Sequence, residues 1–313
     1  MRGASITGVG AHRPAVREDN HAIAARIGSS DEWMRERSGI VTRGVAGPGE
    51  TVVEMGVSAG GKALAAAGVD PQDVSLVLLA TCSMPGPLPG GSPEIAYRLG
   101  ASTAGASDIG AGCAGFTYAL ALAADSVRAG TSQHVLVIGS EKLMPLVDPH
   151  DRGSAFLFGD GAGAAVVSLS DQDGIGPVVW VHDGEQHERL YIDGSPPLLK
   201  MEGRAIYRWA TTALPDLARE ACRRAGISTD DLAAFVPHQA NLRITESVVK
   251  SLGLPDSVVI ARDVVASGNT SAASVPLALA QLVESGEVRR GDMALLFGFG
   301  AGLTAAGQVV RCP

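Results

Sequence analysis

Cys113, His238 and Asn269 are the residues of this sequence whose types and settings could do chemistry together. Cys113 lies in Ala111-Gly112-Cys113-Ala114-Gly115, between a strand containing Ile109 and a helix carrying Leu120 and Leu122. A cysteine at a helix N-terminus meets partial positive charge and free backbone N–H groups, which favour the nucleophilic thiolate. A lone cysteine is otherwise a small buried hydrophobe; the glycine-flanked elbow and its small neighbours turn the reading toward an accessible nucleophile. His238 follows the apolar run Ala234-Phe235-Val236, with Pro237 fixing the turn, and heads the polar segment His238-Gln239-Ala240-Asn241. Asn269, in Ser267-Gly268-Asn269-Thr270-Ser271, is able to cap the helix that follows and to act with His238 as a donor to a developing oxyanion or enolate. Cys82, Cys222 and Cys312 have no comparable setting and read as packing or surface residues.

The elements that must position these residues occur twice. Ala67-Gly68-Val69-Asp70 leading into Leu76-Val77-Leu78-Leu79 is echoed by Ala225-Gly226-Ile227-Ser228 leading into Ala234-Phe235-Val236. Leu120-Ala121-Leu122-Ala123 is echoed by Leu277-Ala278-Leu279-Ala280, and Val135-Leu136-Val137-Ile138-Gly139 by Ala294-Leu295-Leu296-Phe297-Gly298. All three echoes recur at roughly 158 residues, the signature of an internal repeat. Strand and helix alternate in each half, and the strands are continuously apolar, as in sheets covered on both faces. Two related α/β halves are therefore expected, 1–168 carrying Cys113 and 169–313 carrying His238 and Asn269. The polar stretch from Ser168 to Pro197 reads as their junction. Cys113 and Asn269 fall at nearly equivalent strand-to-helix turns, so they should converge near the pseudo-twofold axis.

Composition narrows the classes. With 46% hydrophobic and 19% charged residues the chain is a globular protein, and it has no apolar run long enough to span a bilayer. A net charge of −8 without a basic tract argues against a broad nucleic-acid or anionic-membrane surface. The 40 glycines suggest tightly packed elements and backbone close to ligands. Met1-Arg2-Gly3-Ala4-Ser5-Ile6 is not a secretory signal, so the cytoplasm is the expected compartment. Four scattered cysteines form neither a disulfide framework nor a Cys-x-x-Cys metal pair. Phe158-Gly159-Asp160-Gly161-Ala162-Gly163 and Phe297-Gly298-Phe299-Gly300-Ala301-Gly302 are neither phosphate loops nor dinucleotide fingerprints; they read as tight turns, the second able to aim a backbone N–H at a carbonyl oxygen.

Seven segments in order resemble the thiolase-fold β-ketoacyl-acyl-carrier-protein synthase III family, nearly end to end. They are Ser30-Asp31-Glu32-Trp33, Arg37-Ser38-Gly39-Ile40, Gly112-Cys113-Ala114-Gly115-Phe116, Asp151-Arg152-Gly153, Phe158-Gly159-Asp160-Gly161-Ala162-Gly163, His238-Gln239-Ala240-Asn241 and Gly268-Asn269-Thr270-Ser271. The resemblance implies a five-layer α-β-α-β-α body. It implies that Cys113 takes an acyl group from acyl-CoA, that malonyl-acyl-carrier-protein loses CO₂, and that the enolate, held by His238 and Asn269, attacks the Cys113 thioester. It further implies an oxyanion hole of the Cys113 and Ala301 backbone N–H groups. CoA contacts would come from Trp33, Arg37, Arg152 and Asn241, and carrier-protein docking from Arg208, Arg243 and Lys250. It implies a homodimer, with acyl-CoA as substrate and no metal, nicotinamide or flavin cofactor.

The sequence departs from that pattern in places. Arg204 stands where the family usually has asparagine near pantetheine, and Ala301 replaces a usual glycine. The loop Met84-Pro85-Gly86-Pro87-Leu88-Pro89-Gly90-Gly91, which in the family shapes the partner's acyl pocket, is Pro/Gly-rich, and the segment from His182 to Lys200 is short. Three alternatives stand beside condensation. One is acyl transfer to an alcohol or amine in secondary metabolism. Another is a cysteine hydrolase, since Cys, His and Asn in that order also describe papain-like proteases. The third is a non-catalytic binding subunit.

Overall fold

The apolar runs become the inner strands of two sheets. The computed structural model describes residues 3–313. Its first half contains β1 (Gly3–His12), β2 (Arg17–Asp19), α1 (Asn20–Ile27), α2 (Asp31–Ser38), β3 (Thr42–Gly44), α3 (Val52–Ala67), β4 (Leu76–Ala80), α4 (Ser92–Leu99), β5 (Gly105–Ile109), α5 (Gly115–Arg128), β6 (His134–Glu141) and β7 (Gly161–Ser170). The second contains β8 (Val179–His182), β9 (Leu190–Asp193), β10 (Leu198–Met201), α6 (Gly203–Arg224), β11 (Ala234–Pro237), α7 (Leu242–Leu252), β12 (Val259–Ile260), α8 (Val264–Ser267), α9 (Ser274–Ser285), β13 (Met293–Gly300) and β14 (Thr304–Arg311).

The sheets run β1-β7-β6-β4-β5 and β8-β14-β13-β11-β12, one topology used twice. β4 is parallel to β5 and β6, as β11 is to β12 and β13, and the two remaining junctions of each sheet are antiparallel. The repeat read from the sequence is thus two copies of one α/β unit. β7 runs on to Ser170, across the expected division after residue 168. The stretch read as a junction also does more than connect. Val179–His182 pairs with β14 as the sheet edge, and β9 and β10 form a separate hairpin. Four-residue strands flanked by Gly, Pro and charge carry too little periodicity to be read as strands.

Side-chain alternation builds the layers. In β6, Val135 and Val137 face α5 and α9, while Leu136 and Ile138 face α3; in β13, Ala294 and Leu296 face the same central helices, and Leu295 and Phe297 face α6 and α7. The result is helix, sheet, helix, sheet, helix, with α5 and α9 enclosed along most of their length and Leu122 of α5 left exposed. The central layer is thin because it is built of small residues, Ala119, Ala123 and Ala124 on α5 and Ala278 and Ala280 on α9. Gly139 shows why glycine is abundant: a Cβ there would overlap the carbonyl oxygen of Ala272 from the other half. Among the described residues no helix is long and apolar enough to cross a membrane.

Candidate active site

The turn between β5 and α5 presents Cys113. Gly112 adopts a left-handed φ of +50°, and a side chain there would press on Ala301, its Cβ 3.3 Å from that of Ala301. Cys113 is 8% exposed and lines a cavity of about 1090 Å³, open to solvent, whose lining also includes His238, Asn269, Phe299 and Ala301. Burial pushes its thiol up to about 11, outweighing the lowering effect of the Ser271 hydroxyl. Desolvation of the anion thus opposes the helix-end setting, which favours the thiolate, and holds the resting group toward the thiol.

His238 leaves the end of β11, its amide donating to the Phe297 carbonyl at 2.6 Å. The ring stands edge-on to Phe299 at 5.0 Å, and Nδ1 lies 2.6 Å from Ser274 Oγ. Ser274 Oγ accepts the Gln239 N–H at 3.3 Å. With the Ser274 hydroxyl hydrogen given to Nδ1, the ring proton would sit on Nε2, the tautomer in which His238 donates through Nε2. Burial pushes the imidazole down to about 3, so His238 is a neutral N–H donor. Asn269 is held by backbone on both sides, its N–H donating to Leu157 at 2.8 Å and its carbonyl accepting from Gly159 at 3.0 Å. Phe158-Gly159-Asp160, more than a tight turn, thus anchors the Asn269 loop, and Asp160 in turn accepts the amides of Ala46, Leu143 and Met144. Asn269 Oδ1 accepts the Ser271 N–H at 2.9 Å, which leaves Nδ2 as the donor available to the cavity.

Four further residues complete the site that residue patterns did not single out. Cys82, read as a packing residue, lines the cavity, and its thiol donates to Glu141 at 3.3 Å. Glu141 is wholly buried, Ser271 reaches the Cys82 sulfur at 3.6 Å, and Ser274 orients His238. The signal was positional. Cys82 and Glu141 both sit at the carboxyl ends of neighbouring parallel strands, β4 and β6, where sites of open α/β sheets gather.

Arg37 and Phe156 line the cavity, and beside them, outside the lining, stand Trp33 and Arg152: the guanidinium carbons of Arg37 and Arg152 lie 4.5 and 4.7 Å from the Trp33 ring centroid, and Trp33 meets Phe156 edge-on at 5.3 Å. Asn241 lines the cavity while its side chain caps α7 at Ile244 N, 3.0 Å away. Arg208 and Arg243 also line it, Arg243 lying 5.7 Å over Tyr207, as does Arg204 at the start of α6. Lys250 is exposed about two turns farther along α7, outside the lining. Tyr191 and Ile192 of the β9 hairpin form part of the wall.

A duplicated five-layer α/β body with Cys, His and Asn gathered on one cavity between its halves defines the thiolase-like class of condensing enzymes. Residues 107–184 match the family model of 3-oxoacyl-[acyl-carrier-protein] synthase III, and residues 222–312 that of its C-terminal region. The chain is 50% identical over 315 residues to β-ketoacyl-[acyl-carrier-protein] synthase III 4 of Streptomyces coelicolor, covering 100% of this chain and 99% of that relative. It is 50% identical over 316 residues to synthase III 2 of Streptomyces avermitilis, with 100% of both covered. A priming β-ketosynthase from a polyketide biosynthetic pathway superposes with a TM-score of 0.98 at 46% identity, covering 100% of this chain and 97% of that one. The 3-oxoacyl-[acyl-carrier-protein] synthase III of Aquifex aeolicus superposes with a TM-score of 0.94 at 35% identity, covering 99% and 100%. The chain belongs to the β-ketoacyl-acyl-carrier-protein synthase III family, and its activity is that of an acyl-transferring condensing enzyme. Membership bears out the resemblance read from the seven segments and sets aside the cysteine-hydrolase and non-catalytic readings.

Proposed function

We propose that this enzyme starts chain assembly through two half-reactions at Cys113, with acyl-CoA and malonyl-acyl-carrier-protein as substrates and no cofactor. In the first, the Cys113 sulfur attacks the acyl-CoA carbonyl; the new C–S bond forms, the bond to the CoA sulfur breaks, and the proton given up by Cys113 is balanced by the one CoA thiol takes. The Cys113 and Ala301 N–H groups donate to the oxygen as its charge grows. In the second, the malonyl C–C bond breaks, CO₂ leaves, and the electron pair remains as an enolate. His238 Nε2–H and Asn269 Nδ2–H donate to the enolate oxygen. Its carbon attacks the Cys113 thioester, the C–S bond breaks, and the returning thiolate takes up a proton as the β-ketoacyl product departs.

The observation that carries this reading is the pairing on one cavity of a thiol from one half with two neutral N–H donors from the other. A neutral donor stabilises charge that appears in the transition state without first binding a ground-state anion. At the mouth, CoA would be held by Trp33, Arg37, Arg152 and Asn241. Arg152 now rests directly on Trp33, so an adenine entering between them would move it outward by about 2–3 Å. Arg208 and Arg243 flank the same entrance and suit an acidic carrier, with Lys250 beyond them. Leu88 and Tyr97, 87% and 79% exposed near the edge strand β5, support a homodimer formed on that side. These substrates imply a cytoplasmic setting.

The test is intact-protein mass after exposure to a panel of acyl-CoAs, with Cys113→Ala alongside, followed by malonyl-acyl-carrier-protein. A Cys113-dependent adduct that discharges into a β-ketoacyl carrier product is expected. An adduct that persists with the malonyl carrier and discharges to an alcohol or amine would replace condensation with acyl transfer.

A further inference from the structure

One carboxylate beside the nucleophile has no part in these half-reactions. Glu141, the last residue of β6, is wholly buried, and its neighbour Lys142 turns its ammonium to the carbonyls of Gly47 and Glu50 instead. Neutral donors from both halves meet the carboxylate. Oε2 accepts from Thr81 Oγ1 at 3.0 Å, Ser83 Oγ at 2.5 Å and Cys82 N at 3.1 Å. Oε1 accepts from Cys82 N at 3.2 Å and Cys82 Sγ at 3.3 Å and, across the interface between the halves, from Ala272 N at 3.4 Å.

The last contact bears on the catalytic turn. Ser271 has a φ of +46° and is the one non-glycine residue with positive φ among the described residues. A serine is held in so sparsely populated a conformation only when its surroundings impose it. Here the two consecutive N–H groups that define the turn are both captured, Ser271 N–H by Asn269 Oδ1 and Ala272 N–H by Glu141. The Ser271 hydroxyl faces the sulfurs of Cys82 and Cys113.

We infer that Glu141 is a positioning residue for condensation: its carboxylate locks the Asn269–Ala272 turn of the second half in register with the Thr81–Ser83 and Cys113 turns of the first, and so aims Asn269 Nδ2 at the enolate. This rests on the roles proposed for Cys113 and Asn269. Burial raises the Glu141 carboxyl while the hydrogen bonds of Ser83 and Cys82 lower it toward the ionised form, and that ionised form disfavours a neighbouring thiolate, so Glu141 also acts on Cys113 through space in the opposite sense. Charge and reach are therefore separable.

Two variants separate them. Glu141→Gln keeps the shape and removes the charge; Glu141→Asp keeps the charge but withdraws it by one methylene from Ala272 N. Three rates are read by mass spectrometry: Cys113 alkylation by iodoacetamide across pH, Cys113 acylation by acyl-CoA, and decarboxylation of malonyl-acyl-carrier-protein. For Glu141→Gln, alkylation below pH 9 speeds up severalfold while decarboxylation slows by about tenfold or more. For Glu141→Asp, the alkylation profile stays in place and decarboxylation falls similarly, a split that general loosening of the fold would not produce. If the Gln variant does not fold, the Asp variant alone decides. Wild-type decarboxylation in either folded variant, or equal losses in acylation and decarboxylation, overturns the inference. Wild-type enzyme that acylates Cys113 but never decarboxylates the malonyl carrier would instead overturn the proposed function.

Discussion

Gly300, at the end of β13, lies against the nucleophile so closely that a single methyl should disable it. A Cβ built there falls 2.7 Å from Cys113 Cβ and 3.1 Å from both Cys113 N and Sγ. Carbon atoms sit comfortably at about 3.5–4.0 Å, so Gly300→Ala demands a displacement of roughly 0.8 Å. The neighbours have little room to give. Gly112 already approaches Ala301, and Ala114 Cα would lie 3.0 Å from a Cβ at Gly298. Overpacking of this kind costs about 1–3 kcal/mol of stability, while a reacting group misplaced by close to 1 Å can lose about 10²-fold in rate. The displaced atoms are the sulfur and the N–H proposed for the oxyanion hole, so acylation should fall by about 10²-fold in a protein that still folds. The assay is single-turnover acyl-adduct formation by intact mass, with thermal unfolding alongside. Gly307→Ala is the comparison: its Cβ would lie 2.5 Å from the Phe297 ring, with no atom of Cys113 among its nearest neighbours, and should cost stability without a selective loss of acylation. Folded Gly300→Ala acylating at the wild-type rate would refute the reasoning, as would an equal loss in Gly307→Ala.

Three further outcomes are expected. Because burial pushes Cys113 up to about 11, its alkylation by iodoacetamide should rise about tenfold per pH unit from pH 7 to 10; a plateau by pH 8 would reveal a resting thiolate. His238 is pushed down to about 3, so the unfolded chain binds its proton below about 6.5 and the folded one does not. Its contribution to stability is therefore intact above that pH and is lost toward pH 3, by up to ~1.4 kcal/mol per unit. Urea unfolding at stepped pH should show His238→Asn declining less steeply than wild type, and parallel slopes would contradict a buried neutral imidazole. Trp33→Ala and Arg152→Ala should each raise the KM for acyl-CoA by about tenfold with kcat little changed, the scale of a lost stacking or cation–π contact, and an unchanged KM would remove them from the CoA site.

Much of this protein was legible in residue order. Local propensity and apolar periodicity located Val135–Gly139, Ala294–Gly298 and the Ala-rich helices, and recurrence at one spacing announced a duplicated α/β body before any contact was known. Cys113 and His238 stood out because each follows a strand into a turn flanked by glycine or fixed by proline, and Asn269 because it follows Gly268 just before an Ala- and Leu-rich helix, features written in neighbouring residues; folding put the short helix α8, not a strand, before Asn269. What tertiary structure alone decided is whatever depends on residues distant in the chain. Glu141 is an ordinary acid at a strand end until folding surrounds it with Thr81, Cys82, Ser83 and Ala272, and Cys82 is an isolated thiol until β4 and β6 are placed side by side. The ionisation of the site was decided there too. The helix end beside Cys113 argued for thiolate, but local sequence does not report how much water a group will lose, and desolvation by the assembled halves sets both the Cys113 thiol and the neutral His238.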